Sequence, residues 1–263
     1  MVRRVLVGIV GLLVAGSVSA QFAAPGGTIP VVANIPGVNS FWRSDVSILN
    51  VGGKDTTVQL ILHPEIQDGQ PTFQMKTTQP IPVPAGKQVM LSNIVQATFG
   101  LLNVKGALQI FSTDGTPLVI GSRTYTAGSE GSYGQDVTSV LVAGSAWVPG
   151  IEHDSVFRTN VGIFWPWNQP VQFTVEVFDN DGHKVSKGTK EAVTFSQAGL
   201  QQRGLTTFGV SQLPSGFIVI TCSDSVTPWY AYATKVDGPA NKGASGSNDG
   251  VYRPARSFPL GSQ

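Results

Sequence analysis

Apolar and polar residues alternate along most of the chain in short runs, with turn residues between the runs. Residues 41–50 (FWRSDVSILN) show this period of two clearly, because Val46 and Ile48 share one face while Arg43 and Asp45 share the other. A period of two indicates a strand with one buried face. Turns recur about every ten residues, a spacing typical of an antiparallel sandwich. The other strands predicted before residue 130 are residues 28–33, 57–63, 72–75, 79–83, 88–91, 105–111 and 117–125.

The same order of motifs occurs twice in the chain. Residues 41–50 return as residues 156–164 (VFRTNVGIF), with Arg158 in the place of Arg43. Five further landmarks match in the same order: Val58 with Val171, Ala85-Gly86 with Ala198-Gly199, Gly106 with Gly216, Ile110 with Ile220, and Pro117 with Pro228. Landmarks that keep their order over more than a hundred residues indicate an internal duplication.

The duplication predicts an all-β protein of two tandem immunoglobulin-like antiparallel β-sandwich domains, with short helical turns only. One such turn is predicted at residues 93–99, which end before a glycine. The first module is predicted at residues 28–137 and the second at 138–252, each opening with a strand (28–33 and 138–143). Residues 21–27 and 253–263 are predicted to be a flexible leader and tail.

The first twenty residues have the pattern of a secretory signal peptide. Arg3 and Arg4 precede an apolar run at residues 5–15, and small residues lead to Ala20. This pattern predicts cleavage after Ala20 and export to the periplasm or beyond. A membrane anchor is the alternative, but the apolar run is short for a span. We expect no stable membrane anchor after cleavage.

Composition narrows the possible partners. The chain carries 17 basic and 16 acidic residues, whereas a nucleic-acid-binding protein normally has a basic excess, so no nucleic-acid partner is expected. Hydrophobic residues make up 41%, which is enough for a packed core. Cys222 is the single cysteine, so no internal disulfide is expected. It falls in a predicted strand, where a small buried side chain is expected.

Several motifs resemble those of β-sandwich repeat modules found in exported bacterial proteins, alone, in tandem or appended to secreted enzymes. The motifs are residues 41–46 (FWRSDV), 85–88 (AGKQ), 122–125 (SRTY) and 131–135 (GSYGQ). The second copy departs from them, with residues 231–234 (AYAT) in the place of the Ser-Arg-Thr-Tyr string. The resemblance implies an exported sandwich repeat of uncharacterised function and implies no catalytic residue.

Residues that could perform catalysis or bind a metal are sparse. His63, His153 and His183 are far apart in the sequence and lack metal-ligand spacing, so surface histidines are expected. Residues 179–182 (DNDG) resemble the start of a calcium loop, but the later ligands are missing and a hairpin turn explains them better. We predict no catalytic residues, no metal and no cofactor, with calcium at this turn left open.

Two groups of residues remain as candidate sites. Arg43, Asp45, Arg123 and Arg158 are predicted to form a structural polar cluster, and an anion pocket is the alternative. Trp165 and Trp167 lie in a Pro-bounded loop (residues 164–170, FWPWNQP), where they are predicted to bind a ligand. The alternative is that they plug the seam between the domains or the end of the sandwich.

These features favour an exported, non-enzymatic structural or adhesion-type protein, or a protein-interaction module pair. Its expected partners are proteins or polysaccharides at the cell surface or in the matrix. A carbohydrate-binding protein that uses Trp165 and Trp167 is the first alternative, and an unrecognised secreted hydrolase is the second. Oligomeric state cannot be inferred from this sequence.

Overall fold

The chain is all-β. The computed structural model describes residues 23–37, 39–67, 70–71, 73–128, 131–238 and 250–257. The predicted signal peptide at residues 1–20 lies outside these ranges. Strands account for 63% of the structure and helices for 5%, and the strands form several antiparallel sheets. The predicted fold class is therefore confirmed at the level of an all-β protein with short helical turns.

The described elements fall into two series along the chain. The first half contains β1 (Gly26–Gly37), β2 (Ser40–Asn50), β3 (Thr56–Pro64), β4 (Ile66–Gln67), β5 (Gln70–Pro71), β6 (Lys76–Thr77), β7 (Ile81–Val83), β8 (Gln88–Leu91), α1 (Ile94–Ala97), β9 (Val104–Ser112), β10 (Leu118–Gly128) and β11 (Gly131–Asp136). The second half contains β12 (Leu141–Val142), β13 (Ser145–His153), β14 (Phe157–Trp165), β15 (Val171–Asp179), a 3₁₀ turn (Gly188–Lys190), β16 (Ala192–Phe195), β17 (Gly199–Gly204), a 3₁₀ turn (Leu205–Phe208), β18 (Leu213–Cys222), β19 (Trp229–Asp237) and β20 (Gly250–Pro254).

Strand β1 links two groups of strands in the first half. Its first part pairs with β9, and its last residues pair with β2. The pairing with β9 shifts register between Ile29 and Val32, around Pro30, which has no N–H to donate to a ladder. We call β8, β2, β10 and β11 the first front sheet, and β1, β9, β3, β6 and β7 the first back sheet.

The second half repeats this pairing pattern. The second front sheet consists of β17, β14 and β19, with β12 and β20 along β19, and the second back sheet has the order β13-β18-β15-β16. Six antiparallel pairings of the first half recur in the second: β1–β9 as β13–β18, β2–β8 as β14–β17, β2–β10 as β14–β19, β3–β7 as β15–β16, β3–β9 as β15–β18, and β10–β11 as β19–β20.

Inward side chains of each half form an apolar cluster. In the first half, Val46 and Ile48 from the front sheet and Leu60 from the back sheet are fully buried in one cluster. In the second half, Ile163 and Val175 take comparable positions in another. Alternation within each strand therefore places one face in a core, as the period of two predicts.

Some predicted segment boundaries differ from those in the structure. Strand β1 starts at Gly26 and Ala24 already bridges to Leu118, so residues 24–27 are paired rather than a loose leader. At the other end Ala255 is fully buried and Arg256 bridges to Trp147, so the ordered chain extends past the predicted start of the tail. Only residues 141–142 of the predicted strand 138–143 form a strand, and β13 takes the position of β1.

Candidate functional site

Outward side chains of the second front sheet pack against the first half. Phe164 of β14 lies 5.1 Å from the ring of His63 in β3 and 5.9 Å from the ring of Tyr230 in β19. Phe164, Leu200 and Tyr232 are fully buried and belong to the apolar cluster of the first half. We call this contact the seam. The second front sheet is thus covered on both faces, because its inward residues lie in the second core.

Beside the seam lies a cavity of about 230 Å³, the cleft. Both halves contribute to its walls, so neither half forms it alone. Its lining residues are Val31, Ala33, Ile35, Pro36, Gly37, Trp42, Lys105, Thr124, Gln135, Arg158, Asn160, Gln202, Thr234 and Val236.

One wall of the cleft is polar and comes from three adjacent strands of the second front sheet. Asn160 of β14 pairs with Thr234 of β19, and the Asn160 Nδ2 group donates to Thr234 Oγ1 at 3.4 Å. On β17, Gln202 Oε1 accepts a hydrogen bond from the Tyr232 hydroxyl at 2.8 Å. That bond fixes the orientation of the Gln202 amide. The hydrogen bonds between described residues leave Asn160 Oδ1 and the Gln202 amide hydrogens unused.

The first half supplies the facing walls. Val31, Ala33 and Ile35 of β1 give an apolar strip, and Trp42 of β2 adds an indole ring. Gln135 of β11 has a buried Oε1 atom that finds no hydrogen-bond partner in the described part of the chain. A buried amide oxygen without a partner is costly, so this atom is an unsatisfied polar group in the described part of the chain.

Two cations line the cleft, and each has an acidic residue nearby. Lys105 Nζ forms an ion pair with Glu65 at 2.9 Å, and both side chains are largely buried. Arg158 donates to the Gly238 carbonyl at 3.3 Å. Burial lowers the pKa of Arg158, and the charge of Asp237 acts in the opposite direction. The positive charge in the cleft is therefore largely balanced by the protein itself.

The predicted polar cluster forms in part. Arg43 and Asp45 of β2 lie opposite Tyr125 and Arg123 of β10, on the outer face of the first front sheet. Burial is the largest cause that raises the pKa of Tyr125, followed by the charge of Asp45, and the charges of both arginines lower it. Three of the four predicted residues are thus neighbours. Arg158 is not among them, because it lies in the cleft at the position that corresponds to Arg43.

A groove of about 500 Å³ runs along the same outer face. Arg123 on its rim is exposed, and the guanidinium lies 5.2 Å from the centroid of the Tyr125 ring. The residues that line this groove, which we call the front groove, are Asp45, Ser47, Met90, Gly121, Ser122, Arg123, Asp136, Val137 and Thr138.

The two predicted ligand-binding tryptophans have different environments. Trp165 is fully buried in the second core, and its indole N–H donates to the Gln169 carbonyl at 2.9 Å. A ligand cannot reach this ring, because alternation along β14 points it into the sandwich. Trp167 is 42% exposed and donates to the Pro228 carbonyl at 2.8 Å. The expected surface of two tryptophans is therefore not formed, and Trp167 alone stays a candidate.

The turn at residues 179–182 closes a hairpin. Asp179 Oδ1 accepts from the backbone N–H groups of Asp181 and His183, and Gly182 has a φ of +81°. The backbone bond from His183 is the main cause that lowers the pKa of Asp179. Asp179, Asp181 and His183 could each offer one atom to a cation. All the same, the internal bonds of Asp179 already account for the turn.

Two histidines are buried, contrary to the expectation of surface positions. His63 Nε2 lies 2.7 Å from Gln109 Oε1, and His153 Nδ1 accepts the Thr159 N–H at 3.2 Å. Burial lowers the pKa of both rings. In the described residues, neither ring is hydrogen-bonded to a carboxylate or to a nucleophile. Cys222 is buried as expected, and burial raises the pKa of its thiol.

Sequence reasoning did not find the cleft. Its polar residues occupy outward positions of strands, where Asn160, Gln202 and Thr234 read as ordinary solvent-facing residues. The sequence did contain one indication of the covered face. On the outward face that carries Asn160 and Thr234, other positions are large and apolar, such as Phe164 and Tyr232. Apolar residues on both faces of a strand indicate a strand that is covered on both sides.

Comparisons with known proteins add little. No protein-family model matches the chain, and no curated protein matches it. One similar solved structure is a protein of Parabacteroides distasonis ATCC 8503 that is inferred to be secreted. It is 9% identical, with 93% of this chain and 85% of that chain covered, and the TM-score is 0.25. Within the ranges that the structure describes, none of the helices has the length and apolar character needed to span a bilayer.

Proposed function

We propose that the chain is an exported, non-enzymatic structural or adhesion-type protein that binds other proteins through the outer faces of its sheets. We further propose that it is built as two tandem immunoglobulin-like sandwiches. The recurrence of six strand pairings in the two halves supports the tandem arrangement, because two copies of one module would give the same pairings.

The observation that carries the proposal is that the outer faces of the two front sheets differ in burial. In the second half, the outer face of the front sheet is buried against the first half at the seam. The corresponding face of the first half, centred on Ser47 and Gly121, carries exposed side chains at Met90 and Arg123 and contains the front groove, and we call it the open face. A sheet face of this fold already serves as a protein-binding surface within the chain, which supports the same use for the open face.

The chemistry of the open face suits a protein partner. Met90 is 55% exposed in the groove, and Arg123 and Asp136 provide charges of both signs beside it. Protein interfaces commonly combine an apolar centre with a polar and charged rim. Charges of both signs also favour a partner with complementary charges over a surface of one sign.

The test uses two matched methionine variants. Met90 lies in the front groove and Met75 outside it, and both are 55% exposed. Binding of the purified mature chain to an immobilised second copy and to a panel of fibrous matrix proteins is measured by biolayer interferometry. We expect saturable binding to at least one of these proteins, about tenfold weaker for Met90→Arg and unchanged for Met75→Arg.

The non-enzymatic part is tested by incubation with esterase, protease and glycosidase substrates. Turnover that survives repurification would contradict it and would favour the hydrolase alternative. Absence of saturable binding to every protein tested, or equal binding by both methionine variants, would contradict the binding role of the front groove.

A further inference from the structure

We infer that the cleft is a binding site for a neutral saccharide, and that it accommodates a single sugar ring. This inference does not rest on the proposed protein-binding role, because the cleft and the front groove lie on different faces of the first half. It also differs from the predicted tryptophan loop, since neither Trp165 nor Trp167 lines the cleft.

The size of the cleft is the first argument. Sites for drug-sized ligands usually have volumes of roughly 300–1,000 Å³. At about 230 Å³ the cleft falls below that range and suits a ligand of one ring. Its walls come from strands of both halves, which the buried contacts of Phe164, Leu200 and Tyr232 hold together. A site on packed strands is pre-formed, so little ordering is needed when a ligand binds.

The unused hydrogen-bonding groups are the second argument. Asn160 Oδ1 is an acceptor, while the Gln202 amide hydrogens and the Trp42 indole N–H are donors. Hydrogen bonds between described residues use none of these three groups. A sugar hydroxyl can both donate and accept, so a ring that carries several hydroxyls can satisfy a mixed set of this kind.

The arrangement of polar and apolar walls is the third argument. A sugar ring has hydroxyl groups around its edge and C–H groups on its faces. The Val31, Ala33 and Ile35 strip and the Trp42 ring can cover a C–H face, while Asn160 and Gln202 are on the opposite wall. Concave sites that combine apolar walls with a few placed polar groups are the usual form of small-molecule sites.

Charge decides between a neutral and an anionic ligand. Lys105 already has Glu65 at 2.9 Å, and Arg158 has Asp237 nearby. A phosphate or sugar acid would need to displace or outcompete these carboxylates. A neutral polyol makes no such demand, because hydroxyl groups bond to amides without adding a buried charge.

The central variant is Gln202→Glu. Glutamate keeps an oxygen that can accept from the Tyr232 hydroxyl, but it replaces the donor amide with a carboxylate. The matched control is Gln172→Glu, which makes the same change at an exposed position on β15 in the second back sheet. Thermal melting of both variants shows whether each is folded.

The probes are the one-ring sugars glucose, galactose, mannose and N-acetylglucosamine, with cellobiose as a two-ring comparison and with glucuronate and inorganic phosphate as charged comparisons. Isothermal titration calorimetry is performed on the full mature chain. We expect at least one neutral sugar to bind saturably, with an affinity about tenfold or more lower in Gln202→Glu and unchanged in Gln172→Glu. We also expect quenching or enhancement of tryptophan fluorescence, because Trp42 lines the cleft.

Several results would overturn the inference. No saturable binding of any of the four one-ring sugars would do so, as would saturation by glucuronate or phosphate alone. Sugar binding that persists in Gln202→Glu but is lost in Trp167→Ala would move the site to the loop and would overturn the assignment to the cleft.

Discussion

At the scale of single residues, tertiary packing buries His63 and His153 and lowers the pKa of each ring from 6.5. Between the lowered value and 6.5 the unfolded chain binds more protons than the folded chain. The contribution of each ring to stability is therefore complete above pH 6.5 and declines as the pH falls below it.

We expect the free energy of unfolding to fall between pH 7.5 and pH 5.5. Each buried histidine contributes up to about 1.4 kcal/mol per pH unit. Urea denaturation of the wild type and of His63→Gln at both pH values measures the slope, which should be smaller in the variant. His183→Gln is the matched control, because the His183 side chain is 78% exposed. An unchanged slope in His63→Gln would show that folding does not lower the pKa of this ring.

At the scale of one element, β14 is unusual because both of its faces are buried. Val161, Ile163 and Trp165 point into the second core, while Phe164 points into the seam. Gly162 lies between them, and a Cβ atom there would collide with the Tyr232 ring. The strand therefore needs a residue without a side chain at this position, so that the aromatic ring of β19 can lie flat across it.

The tryptophans at the end of β14 give a stability prediction. Trp165→Ala should cost about 3–5 kcal/mol, because it removes a fully buried ring from the core. Trp167→Ala should cost about 1 kcal/mol or less, because the ring is 42% exposed and makes one hydrogen bond to a backbone carbonyl. Urea denaturation of both variants measures the difference. Equal losses would contradict the assignment of Trp165 to the core and Trp167 to the surface.

At the scale of the whole molecule, the seam couples the two halves. Three large side chains of the second half lie in the apolar cluster of the first, and Glu65 forms a parallel bridge with Leu200. Glu65 also pairs with Lys105 beside this contact. A large apolar contact makes the opening of one half costly for the other, so the halves are expected to unfold together.

We therefore expect one calorimetric transition for the wild type and two for Phe164→Ala, which removes the ring at the centre of the seam. Phe178→Ala is the control, because Phe178 stacks on Phe217 at 5.1 Å in the second back sheet, away from the seam. It should lower the melting temperature and keep one transition. A single transition in Phe164→Ala, with equal calorimetric and van't Hoff enthalpies, would show that other contacts couple the halves.

The predicted duplication shows the limit of matching residues between the two halves from sequence alone. Arg43 lies on β2 and Arg158 on β14, two strands whose pairing partners correspond in the two halves. Val58 was matched with Val171, but the pairings with β9 and β18 place Val58 opposite Ser112 and Phe173 opposite Cys222. With Gly106 matched to Gly216, Ser112 falls at Cys222, so the strand pairings match Val58 with Phe173 rather than with Val171. A slip of two residues leaves every side chain on the same face, so an alternating pattern cannot detect it.

The sequence by itself determined the all-β class, most of the strands and the burial of one face of each strand, because these follow from local alternation and turn residues. It also located the helical turn at residues 94–97 and brought Arg43, Asp45 and Arg123 into one prediction. Only the tertiary structure decided which outward face is covered. The seam, the burial of His63 and Trp165, and the grouping of Trp42, Gln135, Asn160 and Gln202 around one cleft depend on contacts between residues far apart in the chain. Such contacts are set by the packing of whole sheets, which leaves no fixed spacing in the sequence.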